Sequence, residues 1–519
     1  MRLPSSVLWG LAALVALVGV SRADEPAATT APGKPIWLAV TRPMFAEAVR
    51  PLAELRRKQG FDVVVSTDPV EKAVAALPRR PACIVLVGDD AERGALVWAI
   101  PAKEFKLYRW RAVQRTTFAS DAALGDLDGD LVPDVPVGRL PARSTDQVKR
   151  IVDKILAYER RPAGLDDLRL PVWAGSPCYG KAIDSMSTEM LVAAVRMNAP
   201  AWAQPWLLSG GAGHALCGWP PDQPALFAKQ LRRGTLAYMM GHGDRECFYS
   251  MDFKGEAVKL TAQAAAAELA KGPPGPPLVI FACDCGHFTA ESDCLAESLL
   301  RLPGGPVACI AASTESHPLT NYFSGTCLLS ELSGRHERVG ELWLAAQRAA
   351  MKARNPLIER MLRDVEGKLE NEINVAALRR DQMLMYALLG DPATRLKLPG
   401  RLHGKLVRSG DGWQWKVVRP EGATKLYVGQ RPAEPKMPPT RAAVKADQAR
   451  VDLTAANEAL AFRPVSKIAA NGKWEGFVGE AGTLRLVAVA PDRLYVAALK
   501  LKRPATHPAS TQPARQAER

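Results

Sequence analysis

A chain of 519 residues is too long for one compact core and predicts two or three domains. Apolar residues make up 47% and charged residues 24%, which excludes a fibre and a wholly disordered chain. The formal charge of +14 invites a nucleic-acid reading, but Lys and Arg are spread along the chain with no long basic run and no aromatic-basic motif, so nucleic acid is not an expected partner.

Arg2 precedes an apolar run from Val7 to Val20, and Ser21-Arg22-Ala23 then gives a small-x-small cleavage pattern. The run is short for a membrane span. Together these predict a secretory signal peptide over residues 1–23, and hence a periplasmic, cell-surface or extracellular protein. Losing Arg2 and Arg22 takes the charge from +14 to +12, a mildly cationic surface suited to association with an anionic cell envelope. Residues 24–35 are rich in Ala, Pro and Thr and predict a flexible lead-in. The nine cysteines form an odd set, which leaves at least one thiol unpaired, and none stands at zinc spacing.

Regular elements begin at Ile36. Strands are predicted at Ile36–Val40, Phe61–Val65 and Ile84–Val87, with helices at Phe45–Gln59 and Glu71–Leu77 between them, an order that implies a parallel sheet. Ser144 and Gln147 make a capping box for a helix to Tyr158 whose apolar face is Val148, Ile151, Val152, Ile155 and Leu156. The alternation resumes with a strand at Leu170–Ala174, helices at Ser187–Met197 and Gln223–Leu231, and a strand at Thr235–Met240. A helix at Ala262–Ala270, a strand at Leu278–Ala282, a helix at Cys294–Leu300 and a strand at Val307–Ala312 follow, then helices to about Leu388. The reading is an α/β unit over residues 36–398, divided at 160/161. Short alternating runs over residues 399–502 predict a small all-β, Ig-like sandwich, and residues 503–519 a disordered tail.

Two strand ends carry the chemistry. Gly241-His242-Gly243 follows one apolar strand and Ala282-Cys283 ends another. In an open parallel sheet the loops at the carboxyl ends of strands build the site. If the two strands are neighbours, His242 and Cys283 share one crevice. A thiol becomes a good nucleophile as its thiolate, and an imidazole beside it takes the proton and later protonates the leaving amine. Flanking glycines let the backbone approach a substrate, and the N–H groups of Gly243 and Cys283 are candidate oxyanion donors. A helix starting soon after Cys283 would lower the thiol pKa if its N-terminus points that way.

The order Gly241-His242-Gly243, Ala282-Cys283-x-x-Gly286-x-Phe288, Cys294-x-Ala296-Glu297 resembles the gingipain-type peptidases, family C25 of the caspase-like clan CD. Asp126-x-Asp128-Gly129-Asp130-x-x-Pro133-Asp134-x-x-Val137-Gly138-Arg139 and Leu389-Gly390-Asp391-Pro392 extend the likeness over about residues 36–398. The resemblance implies a caspase-like, mostly parallel sheet flanked by helices. It also implies hydrolysis of peptide bonds in protein or peptide substrates through a thioester, with His242 as general base and acid and Cys283 as nucleophile. Some relatives are transpeptidases in surface-protein sorting, and a silent binding protein that kept the fold is a further alternative. The chain departs from the pattern in its second thiol, Cys285, and in a lead-in too short to be the family's long propeptide.

Asp126, Asp128, Asp130 and Asp134 alternate around a glycine turn, which suits a hard cation such as Ca²⁺ in a structural role, although Leu131 stands where an EF-hand has glycine. No redox or organic cofactor is expected. Asp184 is a candidate to orient His242. His287 is expected off the reaction path, and His317 in a surface loop.

Overall fold

The computed structural model describes residues 33–502 except 92–95, 109–114, 179–180, 335, 357–373, 442–444 and 470. The expected signal peptide and C-terminal tail lie outside the described residues. Two compact units are formed, one by residues up to Pro399 plus Met437–Ala461, the other by Gly400–Lys436 and the residues from Phe462 onward.

In the first unit the apolar run Ile36–Thr41 (β1) is buried throughout. It pairs in parallel with Asp62–Ser66 (β2) and Cys83–Val87 (β3). The helix Ala46–Lys58 returns the chain, burying Val49, Leu52 and Ala53. Lys103–Lys106 (β4) and Thr117–Ser120 (β5) form a separate ribbon. Val137–Leu140 (β6) rejoins the sheet beside β3. Ser144 caps the helix Thr145–Arg160, while Gln147 Oε1 accepts from Arg143 N–H at 2.7 Å, one residue before the expected box. Arg169–Ala174 (β7), Gln204–Ser209 (β8), Ala237–Met240 (β9), His242–Gly243 (β10), Cys247–Phe253 (β11), Glu256–Thr261 (β12), Leu278–Phe281 (β13), Cys309–Ala312 (β14) and Tyr386–Leu389 (β15) complete the unit.

Ten of these strands form one sheet in the order β2-β1-β3-β6-β15-β14-β13-β9-β7-β8. Every pairing is parallel except β14 with β15. The sheet is therefore two parallel halves running in opposite directions. The carboxyl ends of β9, β13 and β14 share one edge with the amino end of β6. Tyr386–Leu389 lies in the stretch expected to be helical. A four-residue apolar run has no period that separates strand from buried helix, and pairing on both sides made it a strand.

The two motifs Gly138-Arg139 and Gly390-Asp391 meet across β6 and β15. Gly390 N–H donates to Arg139 O at 2.7 Å, and a Cβ on Gly138 would lie 2.3 Å from Gly390 O. Arg139, fully buried, donates twice to Asp121, at 2.6 and 2.7 Å. Asp391, also fully buried, accepts from Arg56 at 2.8 Å and from Trp37 Nε1 at 3.2 Å, and Arg56 reaches Glu159 at 2.7 Å. These residues tie the helix after β1, the helix after β6 and the turn after β15 together.

The second unit has two sheets. Gly400–Arg401 (β16), Leu494–Leu501 (β23), Gly482–Val489 (β22), Lys425–Pro432 (β19) and Arg463–Ala469 (β20) lie side by side in that order. Gly404–Ser409 (β17), Gly412–Val417 (β18) and Glu475–Val478 (β21) form the other sheet. Trp413 and Trp415 of the smaller sheet share a core with Leu426, Val428, Leu484 and Leu486 of the larger.

The all-β expectation for 399–502 fails at Ala446–Leu460, a helix whose Leu453, Ala456 and Leu460 belong to the core of the first unit. Its Asn457 side chain accepts from Leu207 N–H at 2.7 Å and donates to Leu207 O at 3.0 Å. β8 is an edge strand, and unpaired edge groups are costly when buried. The helix is held where it satisfies them. No described helix is long and apolar enough to cross a membrane.

Replacing Asp391 by Ala removes one of the two buried carboxylates that hold Arg56, leaving Glu159, and is expected to cost about 3 kcal/mol in denaturant unfolding. A loss under about 1 kcal/mol would show that this ion pair does not hold the sheet.

Candidate active site

β9 and β13 are buried neighbours in parallel register, with Met240 opposite Phe281. Paired strands run about 4.8 Å apart. Gly241 N–H extends the ladder one step to Phe281 O at 3.0 Å. His242 and Cys283 each stand two residues beyond the Met240/Phe281 pair, so one crevice holds the ends of both strands. There the chains part. His242 and Gly243 become β10 and pair with Tyr249 and Phe248 of β11. The exposed His242 ring meets Tyr249 edge-on, with centroids 6.4 Å apart.

Glycine at 243 is a packing requirement. A Cβ there would lie 2.6 Å from Cys285 Sγ and 2.9 Å from the Ala282 methyl. The backbone at 243 is thus packed closely against the segment that carries Cys283. Cys285 is fully buried, its Sγ 3.6 Å from Cys247 O. All nine cysteines are free thiols, and Cys178 is exposed.

Cys283 is half-buried. Ser316 N–H donates to its Sγ at 3.4 Å, and Sγ lies 3.6 Å from Ser316 O. Burial pushes the thiol up, the Ser316 contacts pull it down, and the Asp284 and Glu315 charges raise it again. The helix that begins soon after Cys283 does not aim its free N–H groups at the thiol. In the helix Leu295–Arg301 the Ala296 N–H turns to Cys285 O at 3.0 Å, and Cys294 N–H is taken by Glu297 at 2.9 Å. The net direction is upward, so a thiolate needs a proton acceptor beside it.

Behind Ser316 lies a buried polar chain absent from the sequence reading. Asn321 Nδ2 donates to Ser316 Oγ at 2.9 Å, Tyr386 OH to Asn321 Oδ1 at 2.7 Å, and Gln382 Nε2 to the same oxygen at 3.0 Å. Its only sequence signal is polar residues inside otherwise apolar helices.

The remaining candidates divide. Asp184 lies in the first turn of the helix Lys181–Asn198 and accepts from Ser176 Oγ at 2.7 Å. Ser176 N–H in turn donates to Ser250 O, next to Tyr249, at 2.6 Å. Asp284, at φ +55°, pairs with Arg115 at 3.1 Å, and His287 Nδ1 lies 3.3 Å from the same guanidinium. His317, expected in a surface loop, is 3% exposed, and its Nδ1 caps the helix Pro318–Glu331 by accepting from Leu319 N–H at 3.1 Å. Proline at the first helical position has no N–H to satisfy, so the cap serves the next one, on Leu319.

Three of the four aspartates group their carboxylates. Asp126, Asp128 and Asp130 bring carboxylate oxygens within 4.8 Å of one another. Asp134 is turned away: it accepts from Leu127 N–H at 2.9 Å and pairs with Arg80 at 3.0 Å. Leu131 adopts the left-handed conformation, φ +66°, that its EF-hand counterpart leaves to glycine.

The model of peptidase family C25 matches residues 30–397. The structure of the complex of Porphyromonas gingivalis RgpB pro- and mature domains is similar at 14% identity, with 89% of this chain and 99% of that one covered and a TM-score of 0.51. The Arg specific cysteine proteinase gingipain R is similar at 13% identity, with 90% and 98% covered and a TM-score of 0.50. At these identities the likeness speaks to the fold, a caspase-like α/β sheet. No curated protein matches the chain.

Substituting Gly243 by Ala forces β10 away from Cys285. Alkylation of Cys283 at neutral pH is expected to slow about tenfold or more, with a lowered melting temperature, because small misplacements of reacting groups carry large rate costs. Unchanged alkylation would remove the packing argument.

Proposed function

We propose, for a chain that belongs to peptidase family C25 and is a cysteine peptidase by that membership, an exported endopeptidase working through a His242/Cys283 dyad. The observation that carries the dyad is the register of β9 and β13, which gives both residues the same offset on adjacent strands. His242 takes the proton from the Cys283 thiol, and the thiolate adds to the scissile carbonyl carbon. The N–H groups of Gly243 and Cys283 receive the oxyanion. His242 then gives its proton to the leaving amine as the C–N bond breaks, leaving a thioester. Water, losing a proton to His242, adds to the thioester, and the thiol leaves with that proton.

Asp184 is assigned an indirect part, holding Ser176 and through it the strand that faces His242. Export rests on the Arg2, Val7–Val20 and Ser21-Arg22-Ala23 pattern. Two sheets around one core support an Ig-like sandwich for the second unit.

Burial holds the Cys283 thiol above the ordinary value of about 8.5. With His242 present, alkylation of Cys283 by iodoacetamide, followed by mass spectrometry to separate it from exposed Cys178, is expected to proceed at pH 7. In His242→Ala the pH 7 rate falls at least tenfold and recovers only above the ordinary thiol range. A peptide-based thiol probe loses its label on Cys283→Ala. No labelling of the reduced wild type would return the chain to a binding module.

Asp126, Asp128 and Asp130 are proposed to hold a structural Ca²⁺, whose preference for several carboxylate oxygens their grouping matches. EDTA is expected to lower the melting temperature by several degrees, and Asp128→Asn to abolish that response. An unchanged melt with no calcium in metal analysis rejects the site.

A further inference from the structure

Outside the dyad, the first unit holds a cavity of about 290 Å³ whose lining includes Trp219, Met251, Phe253, Lys254 and Asp452. Its walls are tied together by specific contacts. Trp219 and Phe253 meet edge to face, with centroids 5.0 Å apart. Opposite them stands the helix Ala446–Leu460, where Asp452 accepts from Arg441 Nε at 3.0 Å. Arg441 N–H donates to Gly213 O at 2.9 Å, which ties that segment to the loop before Trp219. A concave hollow that sets apolar side chains beside a few polar groups is the ordinary form of a binding site.

The charges lining it are unequal. Asp452 is neutralised by Arg441. His214 is spent on Leu216 N–H and Glu189, each at 3.0 Å. Lys254, at the exposed tip between β11 and β12, lies 5.9 Å from the Trp219 ring centre and 5.3 Å from that of Phe253. No ion pair joins it among the described residues. The cavity therefore offers aromatic walls beneath one available cation, and its complement is an aromatic or large apolar side chain next to a carboxylate.

Its position supplies the context. Tyr249 faces His242, and Phe253 stands four residues further along the same strand, on the order of 13 Å at a strand's rise. An extended polypeptide covers that span with about four residues.

We propose that this cavity is an exosite that takes an aromatic side chain and an adjacent acidic group of the polypeptide substrate, about four residues from the scissile bond. The exosite role rests on the peptidase reading; the ligand chemistry of the cavity does not. The probe is N-acetyl-phenylalanyl-aspartate, titrated calorimetrically into the full chain and into Cys283→Ala. Equal binding to both is expected, weakened at least tenfold in Trp219→Ala and in Lys254→Glu, the second a surface change that spares the fold. Saturating probe is expected to slow cleavage of a long unfolded polypeptide several-fold while leaving a short peptide that spans only the scissile bond unaffected. Absent binding, or binding unchanged in Lys254→Glu, overturns the site. Equal inhibition of long and short substrates overturns its exosite role. Binding without cleavage of either substrate would keep the ligand site and overturn both the exosite role and the dyad.

Discussion

The parallel pairing of β9 with β13 is the constraint on which the rest of the site depends. It puts residues 242 and 283 at the same distance past one register pair, on strands whose spacing is fixed by backbone hydrogen bonds. The pairing alone would leave the two side chains on diverging loops. Close packing of Gly243 against Cys285 and Ala282 holds the loops together. Cys285 therefore has a structural reason to exist. Its thiol fills space beneath β10, and full burial keeps it un-ionised and away from solvent.

A sheet made of two opposed parallel halves needs a firm seam. The seam is the antiparallel pair β14/β15, followed by β6, and the buried ions collect beside it. Arg139 with Asp121, and Arg56 with Asp391 and Glu159, tie together the helices and turns of the half that holds β1, β6 and β15. The same strand, β15, carries Tyr386, whose hydroxyl begins the chain through Asn321 to Ser316 and so to the Cys283 thiol. Seam and Cys283 thiol are thus joined by one buried polar path. Polar groups left unpaired in such surroundings are costly, which favours a single arrangement.

The thiol's own environment bears directly on the proposed dyad. Burial and two nearby carboxylates raise it, and Ser316 offsets this only in part. The helix Leu295–Arg301 does not compensate, because its first turn is occupied by Cys285 O and Glu297. An isolated Cys283 would be a poor nucleophile at neutral pH, and the proposed dyad answers this with a base from the neighbouring strand.

Local pattern determined much of this protein. Apolar runs bounded by turns marked most strands of the sheet, the Ser144 cap and its apolar stripe marked a helix, and the Gly-His-Gly and Ala-Cys motifs at strand ends pointed to the crevice. These features are encoded over a few adjacent residues, so periodicity reads them. Only the tertiary structure decided what depends on distant partners. Tyr386–Leu389 became a strand because β6 and β14 flank it. Ala446–Leu460 became a helix of the first unit because Asn457 completes the open edge of β8. His317 became a buried cap because Leu319 N–H needed an acceptor, and Asp134 left the aspartate group because Arg80 and Leu127 claimed it. In each case the deciding energy is a hydrogen bond or charge pair between segments that the sequence holds apart, and no local pattern records it.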